Sequence, residues 1–349
     1  MNCSFYGRKR VFLTGNTGFK GTWLTHILLY LGAHITGYAL KPPTEPSLFE
    51  QTGVLKDIHY IEGDIRDRDK LIKTIKEAKA DIVFHLAAQP IVRVSYKEPA
   101  YTYETNVMGT VNILEAIRAC DSVRSIVNIT TDKVYENKEW FWGYRENENL
   151  CGSDPYSNSK SCSELVTHCY RNSFFIDDQI RVSTVRSGNV IGGGDYSVDR
   201  IIPDCIRYTT RNETIIVRNP CSIRPYVNVF DSLHGYFLVA EKQWLDKKYI
   251  GTYNFGPNDD GYVGTGHLVD LFCDKWGNGA SWTVENNGTQ PHEDNYLKLD
   301  CSKAHAVLDW KPKWNIEQGM DKIIEYAKLN TNEDRRKCIE VQIKEYIEL

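Results

Sequence analysis

In "DPYSNSK" a tyrosine stands one helical turn before a lysine, and Tyr156-x-x-x-Lys160 is the single such pairing in a chain with 21 tyrosines. Residues at i and i+4 of a helix project on one face. An ammonium or other cation beside a phenol favours its ionised form. A phenolate so held takes the proton of an alcohol while hydride leaves the same carbon for a nicotinamide. Upstream, "NITTDKVY" ends an apolar run in Thr131, placed to hydrogen-bond the same hydroxyl, and Asp132 and Lys133 follow at once as an acid and an amine.

A second stretch, "TGNTGFKG", spaces Gly15, Gly18 and Gly21 at three-residue intervals after the first apolar run. Glycines allow the tight turn, and the free amides of a following helix start then face a pyrophosphate. The acidic residue often found after the second strand of a dinucleotide fold is missing. That strand ends "GYALKPPTEP", where Lys41 suggests a 2′-phosphate and NADP, whereas Asp64 in "GDIRD" offers another anchor for the adenosine end. Both readings stand at this point.

These groups need a scaffold, and the first half of the chain supplies one. "VFLTG", "HITGYAL", "HYIEGD", "DIVFHLAA", "SIVNIT" and "IRVSTVR" read as strands. Between them lie helical patterns over "FKGTWLTHILLYLGA" and "RDKLIKTIKEAKA", from about Asn106, and from about Tyr156. Near-continuous apolar strands alternating with helices predict an α/β fold, a Rossmann-like doubly wound parallel sheet. Ligands of such sheets sit at the carboxyl ends of the strands, and here those ends are polar or glycine-rich. After Gly194 the pattern loosens, which predicts a smaller irregular α/β lobe. The expected division is 1–188 for cofactor and 189–349 mainly for substrate, with the chain free to cross between lobes.

Composition narrows the partners. A formal net charge of −4 leaves no basic footprint for nucleic acid, and no apolar run is long enough to span a bilayer. Ten cysteines without paired spacing predict thiols in a cytoplasm, which makes the Asn-x-Thr match at Asn287 incidental. The nine histidines show no metal-ligand spacing.

The glycine loop, the Thr131 strand end and the Tyr156–Lys160 helix resemble the extended short-chain dehydrogenase/reductases. "TGNTGFKGTWL", "AAQPIVRVSY", "TTDKVYENKEWFWGYRENE", "RSGNVIGGGD", "VRNPCSIRPY" and "DNYLKLDCSKA" resemble the nucleotide-sugar dehydratases within that family, over nearly the whole chain. The resemblance implies NAD as cofactor and CDP-glucose as substrate. Water is lost through internal hydride transfer from C4 to C6, in a deoxysugar route to a bacterial surface polysaccharide. It implies Thr131, Asp132, Lys133, Tyr156 and Lys160 as catalytic, with Asp132 the acid at C6 and Lys133 in the position of the C5 base. Cofactor contacts are expected from Gly15, Asn16, Thr17, Gly18, Phe19, Lys20 and Gly21, from Asp64 and Ile65, from Leu86, Ala87 and Ala88, and from Tyr156 and Lys160. Substrate contacts are expected from Gln89, Asn189, Arg224 and Tyr296, Arg224 meeting the diphosphate. No metal is implied, and a homodimer is expected through the helices beginning near Asn106 and Tyr156. Asn16 departs from the family's usual histidine and Thr131 from its serine, and "DDGYVGTGHLVD" fits the family poorly. A 4-epimerase of the same fold is the rival, but it has no use for an acid–base pair at 132 and 133. A catalytically silent dinucleotide-binding regulator would have no reason to keep both Tyr156 and Lys160.

Overall fold

The computed structural model describes residues 1–177, 179–284 and 295–349; Asn287 lies outside them. Seven parallel strands form the main sheet in the order β10-β6-β5-β4-β1-β2-β3. They are β1 Arg10–Thr14, β2 His34–Ala39, β3 His59–Glu62, β4 Ile82–His85, β5 Ser125–Ile129, β6 Arg181–Ser187 and β10 Thr252–Phe255. The first six agree with the sequence reading. The seventh comes from the second half of the chain and pairs with β6, Thr252 opposite Thr184. Smaller sheets join β7 Asn189–Ile191, β9 Ile223–Asn228 and β11 Tyr262–Gly264, and β8 Ile215–Val217 with β12 Trp282–Val284. The strand order reverses direction between β1 and β4, which opens a crevice at their carboxyl ends.

Among the described residues nine helices have ten residues or more. On the main sheet lie α1 Phe19–Tyr30, α2 Arg68–Ala78, α3 Gly109–Arg118, α4 Pro155–Ser173 and α6 Val229–Leu245; α5 Ile201–Thr210, α7 Thr265–Trp276, α8 Ile316–Ala327 and α9 Asn332–Glu348 complete the set. Local signals fix the ends of two of them. The Asp67 side chain caps α2 by accepting from the Lys70 amide at 3.1 Å, and Asp154 caps α4 by accepting from Ser157 N at 3.0 Å, with Pro155 at the first helical position. Tyr156 therefore sits in the first turn of α4, where the sheet ends. The helix expected from about Asn106 begins earlier, at Pro99, and passes through a π turn at Glu104–Met108 before α3. The stretch that fits the family poorly folds as a short turn, β11 and the start of α7.

One core cluster, with Trp23, Phe84, Val127, Phe230, Phe237 and Tyr346, packs α1, α6 and α9 against one face of the sheet. A second, with Phe12, Val83, Ile113, Ile117 and Ile126, fills the other. Burial on both faces explains the continuous apolar strands. A third cluster, around Ile202, Tyr226, Leu268 and Met320, packs α5, α7 and α8 with β9.

Candidate active site

At the carboxyl ends of the strands a cleft of about 250 Å³ brings Thr131, Asp132, Lys133 and Tyr156 together with Lys20, Asn189, Arg200 and Arg224. Residues 131–135 leave β5 in a short 3-10 turn, Asp132–Val134, capped by the Thr131 hydroxyl. That hydroxyl accepts from the Lys133 amide at 3.4 Å and donates to Asp132 Oδ1 at 3.0 Å. It is also hydrogen-bonded to the Tyr156 phenol. Thr131, Asp132 and Tyr156 are all buried, so the phenol, the hydroxyl and the carboxylate form one connected set.

The electrostatics differ from the sequence expectation in one respect. Burial pushes the Tyr156 phenol up to about 12, opposed by its Thr131 hydrogen bond and by the Arg200 guanidinium. Lys160 instead donates from Nζ to the Ile129 carbonyl at 3.1 Å. Burial lowers its ammonium to about 8, against the pull of Glu164. Lys20 is lowered further, to about 7, by burial and by the charges of Arg200 and Lys160, with Asp132 opposing. Two buried lysines, Lys20 in the cleft wall and Lys160 behind it, thus have charged forms that burial makes costly. Arg200, unnoticed in the sequence, contributes the largest favourable charge at the phenol.

The glycine loop lies beside this cleft and fits a pyrophosphate. Gly15 has φ +74°, and a Cβ there would lie 2.7 Å from the Ala87 amide nitrogen. A Cβ on Gly21 would lie 2.1 Å from the Gly15 carbonyl oxygen. Gly18 caps α1 with no side-chain hydrogen bond, so the first amides of the helix, at Phe19 and Lys20, have no carbonyl within the helix to meet. Thr17 donates to the Leu40 carbonyl at 2.9 Å, tying the loop to the end of β2. The Asn16 side chain is buried without a protein partner and lies over Gly37, whose Cβ would meet it at 2.6 Å.

The other expected contacts separate into near and far. Leu86 and Ala87 follow β4 next to Gly15, Leu86 N bonding Thr14 O at 3.2 Å and Ala87 N bonding Thr14 Oγ1 at 3.2 Å; Ala88 follows, partly buried. The Asp64 carboxylate is gripped by Arg66, with Nη2 at 2.7 Å, and is held below the usual range against the effect of burial. Ile65 packs under Gly109 in the core. Gln89 is committed inside the protein: its amide donates to Thr102 Oγ1 at 2.9 Å and its oxygen accepts from Ile91 N at 2.6 Å. Tyr296 pairs with Ile223 of β9, between the cleft residues Ser222 and Arg224, and places its ring against Phe141 and Lys298; it does not itself line the cleft.

Sequence reading passed over several charged groups on the far wall. Arg200 pairs with the buried Asp195 at 3.4 Å, while Asp199 receives Arg218 at 3.0 Å and Arg93 at 3.6 Å. All five line the cleft. Nothing in "GGGDYSVDR" or "QPIVRV" distinguishes them from surface charges. Asn106 was also missed as a link. From the π turn it accepts from Gln89 N at 2.8 Å and donates to Ser159 Oγ at 2.9 Å, joining the β4 loop to α4. A π turn is itself a frequent mark of function. Among the described residues no group of three or more His, Cys, Asp or Glu converges as metal ligands.

The sheet order, the glycine turn and the Tyr156–Lys160 helix define an extended short-chain dehydrogenase/reductase. The family described as GDP-mannose 4,6 dehydratase matches residues 12–323, and the chain belongs to it. It is 47% identical to the CDP-glucose 4,6-dehydratase of Salmonella typhimurium, over 99% of this chain and 98% of that one. Among solved structures it is similar to the dTDP-glucose 4,6-dehydratase of Bacillus anthracis, solved with NAD. There the TM-score is 0.77 at 21% identity, over 94% of this chain and 99% of that chain. It is also similar to the UDP-glucose 4-epimerase of Thermus thermophilus, with a TM-score of 0.79 at 22% identity, over 91% and 98%.

Proposed function

We propose that this chain is a hydro-lyase that converts CDP-D-glucose to CDP-4-dehydro-6-deoxy-D-glucose. The observation that carries the reading is the placement of Thr131, Asp132, Lys133 and Tyr156 around one cleft, since an epimerase has no use for the acid and amine at 132 and 133. The 47% likeness to an enzyme of that name supports it. NAD would be held by the glycine loop, the Leu86–Ala88 segment, Asp64, Ile65, Tyr156 and Lys160, and would supply the hydride chemistry that links C4 and C6. Residues 1–188 serve mainly this cofactor and 189–349 mainly the sugar nucleotide.

The residues divide the proton transfers. Tyr156, oriented by Thr131, takes the C4 hydroxyl proton as the phenolate, a form that the Arg200 guanidinium and the Thr131 hydrogen bond favour against burial. The carbonyl so formed at C4 acidifies C5–H. Lys133 takes that proton, and Asp132 delivers a proton to the C6 hydroxyl as the C6–O bond breaks. One water leaves. Arg224, buried in the same cleft, offers the diphosphate a fork of donors, with Asn189 beside it.

Incubation of the purified protein with CDP-glucose and NAD, read by mass, is expected to show loss of one water with no net reduced cofactor. An unchanged mass with a new sugar configuration would establish an epimerase instead. Lys133→Ala is expected to abolish solvent deuterium incorporation at C5, and normal incorporation would remove Lys133 from the mechanism. The exposed Met108 and Leu165, one on each of the two expected helices, support a homodimer, to be checked by sedimentation. Ten free thiols fit a reducing cytoplasm. No described helix is long and apolar enough to cross a membrane.

A further inference from the structure

One turn beyond Lys160 on α4, Glu164 is almost fully buried, and so is its partner Arg186 near the end of β6. Arg186 Nε meets Glu164 Oε1 at 2.9 Å and Nη2 meets Oε2 at 3.0 Å, a parallel two-bond pairing. The carboxylate has further donors: the Thr130 hydroxyl on Oε1 and the Thr184 hydroxyl on Oε2 at 2.7 Å. The third guanidinium nitrogen continues outward, donating to the Tyr135 hydroxyl at 2.8 Å and to the Glu146 carbonyl at 3.3 Å. Tyr135 in turn donates to Asn254 Oδ1 on β10 at 2.7 Å.

What this network joins is specific. Thr130 precedes Thr131 and Tyr135 lies two residues after Lys133, so the network holds both ends of the catalytic turn. Glu164 lies on the helix that carries Tyr156 and Lys160, and Arg186 lies three residues before Asn189. A buried ion pair is a weak source of stability, because the cost of removing two charges from water offsets their attraction. Fixing of geometry is the contribution that remains.

We propose that Glu164 and Arg186 act as positioning residues, one buried pair that holds the Thr131–Lys133 turn in register with Tyr156 and Lys160. The assignment rests on the functional reading above, because it needs those five groups to act on one sugar. Neither residue touches the cleft, so the effect passes through Thr130 and Tyr135. An error of ~1 Å in such an arrangement costs on the order of 100-fold in rate.

The test uses the cofactor-loaded enzyme and the double variant Glu164→Met, Arg186→Met, which removes both charges and leaves neither unpaired. Its melting temperature is expected to fall by less than that of Glu164→Gln alone, because that single variant strands a buried guanidinium. Its kcat is expected to fall at least about 10-fold, with KM changed less than about threefold. A double variant with the kcat of the wild type overturns the proposal. Tyr135→Phe covers failure of the double variant to fold. It cuts the link from Arg186 to the turn and is expected to lower kcat severalfold while leaving calorimetric binding of CDP unchanged. An unaltered kcat in Tyr135→Phe overturns the proposal too. Turnover of CDP-glucose by the wild type tests the functional reading separately. If another nucleotide sugar is the one dehydrated, the same ratios of variant to wild type are taken with it.

Discussion

The two walls of the cleft are built on different principles. The wall formed by the ends of β5 and α4 is polar yet buried: Thr131 meets Asp132 and Tyr156, and behind the wall Lys160 meets the Ile129 carbonyl and Glu164 meets Arg186. The opposite wall, from Asp195 to Arg224, carries partly exposed arginines paired with aspartates, Arg200 with Asp195 and Arg218 with Asp199. A wall fixed by internal partners suits chemistry, where geometry must be set before the substrate arrives. A wall rich in arginines, some of them partly exposed, suits an anion, which brings its own charge to arginine forks.

Breaking the first wall gives the largest effect. Tyr156→Phe keeps the ring and removes the proton acceptor. It is expected to lower kcat by on the order of 10²–10⁴-fold while calorimetric affinity for CDP stays within about twofold. A matching loss of CDP binding would mean that Tyr156 holds the nucleotide, and the division between the walls would fail.

Arg224→Met probes the second wall in the opposite sense. Removing a buried guanidinium from a diphosphate costs about 2–4 kcal/mol, so KM for CDP-glucose is expected to rise by about 30-fold or more. Steady-state kinetics should show kcat little changed. An equal fall in kcat would mean that Arg224 interacts more strongly in the transition state than in the ground state.

The two walls were not equally legible in the sequence. Tyr156, Lys160 and the glycine loop are short-range patterns, and strands buried on both faces announce themselves as apolar runs. Thr131, Asp132 and Lys133 were legible because they end such a run. The pairings across the fold were not. Glu164 and Arg186 are 22 positions apart and read as two solvated charges, and Arg93, Arg200 and Arg218 carry no local mark of the cleft. Helix α6 was missed for a related reason. In Val229–Leu245 the polar Asp231, Ser232 and Gln243 are buried while the less-buried stripe carries the apolar Leu238 and Leu245, so polarity does not follow the helical period. The seventh strand, Thr252–Phe255, has only four residues at the sheet edge.

The first wall also has a cost that pH exposes. The Lys160 ammonium is held down to about 8 in the fold against its ordinary 10.5, chiefly by burial. Below pH 8 both folded and unfolded chains are protonated at this position, and the cost of burying the charge is fully present. Between about pH 8 and 10.5 the folded protein releases the proton while the unfolded chain keeps it, so this contribution to stability rises with pH. Lys160→Met removes the charge and keeps most of the packing. Its cofactor-free form is expected to melt about 2 °C above the wild type at pH 7, with the gap closing as the pH approaches 10. Scanning calorimetry of both proteins across that range decides the matter. A variant that melts lower at every pH would show that the bond from Lys160 to the Ile129 carbonyl outweighs the burial of its charge.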